Sequence, residues 1–337
     1  MLTEQFDKDS PPAYVAANQQ LYRGLGLIPI DGDLRASTLD LLSGGVAGFY
    51  RNDEGKLYVV SKSGEPGPAE RFYFAHEYDH ALQDQKMTVF KDQQGILDQS
   101  DRILARSAVY EGDATLLMTI WAIQNMSPTD FQAILAASND PAARAALDKA
   151  PAILRTPLQF PYDTGARWVQ GVFGTGDWSA VDALYKRMPE STEQILHPEK
   201  YTANEAPVKV VMPAGLATRL GSGWSVPLED TFGELQLGTW LADVGDKTTA
   251  TAAAAGWGGD RLAVIDGPGG AWAIAMHTAW DTTKDAAEFE DAANVALKKA
   301  HGKTAVLPGA GGKTRWVLVA SDDATLGKVA STLGLAG

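Results

Sequence analysis

The chain has 337 residues, 45% hydrophobic and 21% charged, an ordinary water-soluble composition with enough length for two domains or one large one. Its 42 acidic residues against 29 basic ones give a formal charge of −13, spread along the chain, so no nucleic-acid partner is expected. Cysteine is absent, which excludes disulfides and thiolate metal sites, and no uninterrupted apolar stretch is long enough for an integral membrane segment.

The first residues, Met1-Leu2-Thr3-Glu4-Gln5-Phe6-Asp7, have neither the basic flank nor the apolar core of a signal peptide. The compartment is therefore open: the cytoplasm, or export after removal of a leader. Tyr14 to Leu25 has apolar residues at helical spacing, closed by Gly24, Gly26 and Pro29. The run Leu57-Tyr58-Val59-Val60 is β-rich. It follows the turn signal Asn52-Asp53-Glu54-Gly55 and precedes a Gly/Pro loop from Gly64 to Pro68. Helices are predicted from Glu70 to Gln85, Asp101 to Gln124, Ala166 to Phe173 and Trp178 to Met188. Beyond Pro207 the texture changes. Arg261 to Ile265 and Trp272 to Met276 flank Asp266-Gly-Pro-Gly-Gly270, a hairpin signature. Asp281 to His301 reads as an amphipathic helix, Val306 and Trp316 to Ala320 as strands, and Ala324 to Leu333 as a last helix.

The fold class expected is α+β, in two domains. Residues 1–205 form a mainly helical domain with a short edge strand or small sheet. Residues 206–337 form an α+β domain whose strands need not be parallel.

His76-Glu77-Tyr78-Asp79-His80 fits His-Glu-x-x-His. On a helix, residues four apart share a face, so both imidazoles can reach one ion. Glu77 lies about 100° round the helix, close to the metal without competing for it, where it can serve as general base. Zinc lowers the pKa of a bound water toward roughly 7. Catalytic zinc takes three protein ligands, and no third His lies nearby: the others are His197, His277 and His301. An acid on a following helix is the usual alternative, and Glu111, in an otherwise apolar segment, is the better candidate, because a buried free carboxylate is costly. Gly112 beside it permits close approach of another backbone. Asp113, on another face, could orient a ligand imidazole or remain solvated.

These residues resemble the gluzincin group of zinc metallopeptidases. The run Ala75-His-Glu-Tyr-Asp-His-Ala-Leu-Gln-Asp-Gln85, then Glu111-Gly-Asp-Ala114 and Ser191-Thr-Glu-Gln-Ile-Leu-His-Pro198, looks like a little-characterised bacterial set with this signature. The stretch Ala47-Gly48-Phe49-Tyr50 fits it too. The similarity spans roughly residues 15 to 205, with weaker echoes at Gly256 to Asp260 and at Trp280-Asp281. It implies zinc on His76, His80 and Glu111, with Glu77 as base. Asp79 departs from the small or apolar residue usual there; it could bond a neighbouring helix or face solvent.

A second electrophile commonly stabilises the oxyanion of peptide hydrolysis. His197 and Tyr162 are the candidates, with Tyr201 and Tyr50 behind them; each could equally be a packed structural residue. Glu193 could cap its segment or brace a ligand. By fold analogy, the Leu57 to Val60 strand would bind extended substrate, with Gly48 and Phe49 shaping the cleft wall. Gly256 to Arg261 lacks the lysine and helix of a phosphate cradle and reads as a tight turn into a strand. His277 reads as a partly exposed or core histidine, and the tryptophans Trp257, Trp272, Trp280 and Trp316 read as core.

The function expected is a zinc metallopeptidase acting on a peptide or protein substrate. The alternatives are a non-catalytic zincin-fold scaffold with a vestigial or structural metal, or a zinc hydrolase of a non-peptide amide. Oligomeric state is not legible.

Overall fold

The computed structural model describes residues 2–43, 48–51, 54–59, 64, 66–87, 96, 98–139 and 141–335; Ala47, Asn52, Asp53, Val60 and Glu65, which sequence pattern sets in or beside a strand, lie outside them. The chain opens with helices α1 (Leu2–Asp9), α2 (Pro12–Gly24) and α3 (Leu34–Ser43). A hairpin of β1 (Gly48–Arg51) and β2 (Lys56–Val59) comes next, antiparallel, with Phe49 opposite Tyr58 and their rings stacked at 5.0 Å. After it stand the long helices α4 (Pro68–Met87) and α5 (Ser100–Asn125), each slightly longer than its apolar spacing predicts. Pro68 sets the first turn of α4, where its missing N–H costs nothing.

Shorter helices α6 (Pro128–Ser138), α7 (Pro141–Lys149) and α8 (Ala152–Phe160) lead into a π-helical turn, Pro161–Gly165, and then α9 (Ala166–Leu184). The sequence predicts two helices here. The chain does break at Gly176 and Asp177, with Asp177 at φ 54, although the flanking turns are nearly continuous. The short helices α10 (Glu193–Leu196), α11 (Pro198–Thr202) and α12 (Leu216–Leu220) complete the helical part.

The rest is a five-stranded sheet with four more helices. In chain order these are β3 (Ser225–Asp230), α13 (Gly233–Ala242), α14 (Lys247–Ala254), β4 (Trp257–Asp266), β5 (Trp272–Trp280), α15 (Thr283–Ala296), β6 (Lys303–Pro308), β7 (Thr314–Ala320) and α16 (Asp323–Thr332). The sheet order is β3-β4-β5-β7-β6, and every pairing is antiparallel. The β4–β5 hairpin turns at Pro268–Gly270, where Gly269 and Gly270 take φ 70 and 84, values glycine adopts without strain. The fold is α+β.

Both faces of this sheet are buried, which is why its strands read as apolar runs rather than alternating ones. Leu262 and Val264 of β4 point to the face covered by α2, α13, α14 and α15; Ala263 and Ile265 point to the face covered by α12 and α16. Trp257, Trp280 and Trp316 are core, and Trp272 packs against it. The segment at the expected boundary, 205–213, has no regular secondary structure. One apolar core nevertheless joins Leu21, Leu25 and Ile28 from the first helices to Leu237, Ile274 and Val319 of the sheet half. A further core, built on Ala105, Ala108, Val109, Val169 and Ile195, holds α5 against α9.

The crossing of α5 with the π-helical turn sets the position of Glu111, which directly precedes Gly112. A Cβ added at Gly112 would lie 2.8 Å from the Gly165 carbonyl oxygen, and one at Gly165 would lie 2.6 Å from that of Ala108. The two backbones therefore touch, which only glycine at both positions permits.

Candidate metal centre

His76 and His80 stand one turn apart on the face of α4 that meets α5, where Glu111 projects between them. His76 Nε2 lies 3.0 Å from Glu111 Oε2 and 3.0 Å from His80 Nε2; His80 Nε2 lies 3.3 Å from the same carboxylate oxygen. The rings meet edge to face, with centroids 4.7 Å apart. Zinc bonded at about 2.0–2.1 Å in tetrahedral geometry holds its ligand atoms about 3.3 Å apart. The donor set, two imidazole nitrogens and a carboxylate oxygen at nearly that spacing, fits such an ion.

The electrostatics of the cluster arise from burial and mutual charge. Burial works against ionisation of Glu111, but the hydrogen bonds and charge of His76 and His80 hold its carboxyl down to about 2. Burial pulls His80 down as well; Glu111 and Gln83 outweigh it and raise the imidazole to about 9. Burial raises Glu77 against the attraction of His80 and His76, and the Tyr50 N–H bonds its carboxylate. Strand β1 runs along this residue, since a Cβ at Gly48 would come 3.3 Å from Glu77 Cγ. The strand beside Glu77 is thus β1, paired to β2, and Gly48 and Tyr50 form that wall.

Tyr162, in the π-helical turn, stacks on His76 at 6.0 Å, and its hydroxyl bonds Glu111. Burial and the Glu111 charge raise its pKa, so the hydroxyl stays protonated.

His197 is placed elsewhere, and the expectation that it joins the site needs correction. Its Nε2 is 2.8 Å from Glu234 Oε1 of α13, with Glu199 on its other side. The whole run Ser191 to Pro198 is a junction with the sheet half. The Thr192 N–H and hydroxyl donate to Asp101 at the start of α5, and Gln194 bridges the Glu190 N–H to the Glu205 carbonyl. Glu193 is paired with Lys200. Tyr201 donates to the Arg187 carbonyl and Tyr50 to Asp84, so neither hydroxyl faces the cluster.

Residues 220–331 match the family described as a domain of unknown function (DUF8575). No curated protein and no solved structure matches the chain. The matched stretch holds β3 to β7 and leaves the His76, His80 and Glu111 cluster outside it.

A second acidic cluster, Glu193, Glu205 and Asp281, also converges. It is occupied by its own cation: Lys200 Nζ lies 2.6, 3.0 and 2.6 Å from the three carboxylates. The Gly256 to Asp260 run is no phosphate cradle, because a Cβ at Gly256 would strike Asp285 and one at Gly259 the Val208 carbonyl. Instead Asp260 accepts from the Phe232 and Gly233 N–H groups that open α13 and from Trp257 Nε1. A cavity of 550 Å³ lies at the N-terminus of α5, lined by Asp98, Arg102, Val208 and Arg261. Glu111 is about 15 Å further along that helix, so the cavity is separate from the His76, His80 and Glu111 cluster.

Sequence pattern alone does not reveal Gln83, and it undervalues Asp79. Asp79 is buried, accepts from Gln83 Nε2 at 2.7 Å, and is pushed up to about 7 by burial and by Asp113. Asp113, which could orient an imidazole or stay solvated, is buried and accepts from the Tyr185 hydroxyl at 2.5 Å and from Gln83. The side chain against His80 is Gln83. Its i, i+3 spacing from a ligand histidine is the available signal, but a polar residue at that spacing is common on any helix.

Proposed function

We propose that the protein is a zinc-dependent metallopeptidase of the gluzincin type, hydrolysing peptide bonds in a peptide or protein substrate. The observation that carries this reading is the convergence of His76 Nε2, His80 Nε2 and Glu111 Oε2 at zinc-ligand spacing with a carboxylate, Glu77, held alongside. Zinc on these residues would supply a Lewis acid that brings the pKa of water toward neutrality and polarises a carbonyl.

The chain's own groups divide the remaining work. Glu77 takes the proton from water and later delivers it to the leaving amine. Its raised pKa moves a carboxylate toward the working pH, where a general base is most effective. The Tyr50 N–H fixes the orientation of that carboxylate against β1. Tyr162, stacked on His76 and kept protonated, would turn its O–H from Glu111 to the developing oxyanion.

Zinc content of the purified protein tests the metal. One bound zinc is expected, lost in His76→Ala and His80→Ala; no zinc, or binding unchanged in those variants, overturns the reading. Glu77→Gln should keep zinc and lose cleavage by about 10²–10⁴-fold. Cleavage at the wild-type rate in that variant overturns the assigned base.

A further inference from the structure

We infer that Gln83 is a positioning residue that locks His80 with its ring proton on Nδ1, leaving Nε2 as the only atom able to ligate. The inference rests on the metal-centre reading above. An amide side chain does not by itself reveal which end is oxygen, but its neighbours can. Gln83 is 3% exposed and bonds His80, Asp79, the Tyr110 carbonyl and, as a further acceptor for its amide nitrogen, Asp113. One of them, the Tyr110 backbone carbonyl at 3.0 Å, can only accept. The amide group facing it is therefore the NH₂. The second N–H of that group goes to Asp79 Oδ2 at 2.7 Å. Both donors are then used, and what faces His80 Nδ1 at 3.0 Å is the amide oxygen, which can only accept. His80 Nδ1 must donate, and a neutral ring has just one proton. A ring that ligates zinc must be neutral, so with Nδ1 holding the one proton its Nε2, on the side of His76 and Glu111, supplies the lone pair.

The same amide has a second effect. Tyr110 directly precedes Glu111, so Gln83 ties the α4 ligand His80 to the α5 backbone that carries Glu111. Ring orientation and helix spacing are set by one side chain. Outer partners of this kind typically govern metal affinity by 10–100-fold.

The test compares Gln83→Met with Gln194→Met in the full chain. Both remove a buried glutamine that makes several hydrogen bonds, but Gln194 bonds only the Glu190 N–H and the Glu205 carbonyl in the junction. Zinc affinity, measured by competition with a chromophoric chelator, should fall about 10–100-fold in Gln83→Met and stay within about twofold in Gln194→Met. Thermal unfolding of both variants should drop together. In zinc-loaded wild type, long-range ¹H–¹⁵N spectra should show the His80 proton on Nδ1, a readout that needs no variant to fold. Equal zinc affinity in the two variants, or a His80 proton on Nε2, overturns the inference alone. Wild type that binds no zinc overturns the metal centre and this inference with it.

Discussion

Replacing Gly112 by Ala adds a single methyl where α5 crosses the π-helical turn. The new carbon would sit 2.8 Å from the Gly165 carbonyl oxygen, 2.8 Å from Val169 Cγ2 and 2.9 Å from the Gly165 carbonyl carbon. Unstrained carbon contacts begin at about 3.5 Å, so the crossing must open by about 0.5–1 Å. Overpacking of a core costs about 1–3 kcal/mol, and the upper end applies because two of the three obstacles are backbone. Ala gains about 1 kcal/mol over Gly in a helix interior. Steric strain outweighs propensity, for a net loss of about 1–2 kcal/mol. Gly171→Ala in α9 is the reference, since an added Cβ there meets nothing within 4 Å. It should be stabilised by up to about 1 kcal/mol. Urea denaturation reads both, as shifts of the midpoint in opposite directions. Opening the crossing also moves Glu111, and ligands must be held to about 0.5 Å, so zinc affinity should fall by about tenfold. If Gly112→Ala gains stability as Gly171→Ala does, the backbone contact does not exist as described.

Lys200→Met leaves Glu193 buried without its cation and Asp281 and Glu205 facing it, a loss of about 3–5 kcal/mol measurable by denaturant melts. A change under about 1 kcal/mol would mean that the lysine is dispensable. Hydrogen bonding to Glu234 raises the pKa of His197, while burial raises that of Glu234, so both groups bind protons more tightly when folded. The His197 contribution is fully present below the unfolded value of about 6.5 and is lost as pH rises through the raised folded value. The stability gap between wild type and His197→Phe should therefore narrow as pH rises above about 6.5 in denaturation series; a gap that widens contradicts the pairing. Tyr162→Phe should retain zinc and lower kcat by about 10²–10³-fold with little change in KM, as expected for a donor used mainly in the transition state. A rise in KM alone would make it a substrate contact.

The parts of the site legible in sequence are those set by local geometry. His76 and His80 are four apart, and helix pitch alone puts them together. Glu111 can be singled out because a carboxylate in an apolar helix needs a partner, and α4 supplies one. Gln83 is not legible, because its role depends on a carbonyl 27 residues away. His197 misleads for the same reason: a histidine in a distinctive run suggests chemistry, and its partner Glu234 lies across the junction. In the fold, α2, α4, α5 and the β4–β5 hairpin match their periodicity. The unexpected strand β3 has a mixed exposed and buried pattern and gains its place by pairing with β4. The short helices α10 to α12 have four or five residues each, too few for a periodic signal.

The packing of α2 beneath the sheet has a consequence for the order of assembly. The Gly24 backbone rests against Ile274 and Trp272, and its carbonyl accepts from the His301 N–H. A ribosome adding about 5–20 residues per second delivers β5 and β7 roughly 15–60 s after α2. Through that interval the apolar face of α2, with Leu21 and Leu25, lacks the part of its native surface that β5 and β7 supply. The nascent chain must shelter the sheet-facing side of α2 until those strands emerge. A fragment limited to residues 220–331 would meet the reverse problem, a finished sheet with one bare stripe.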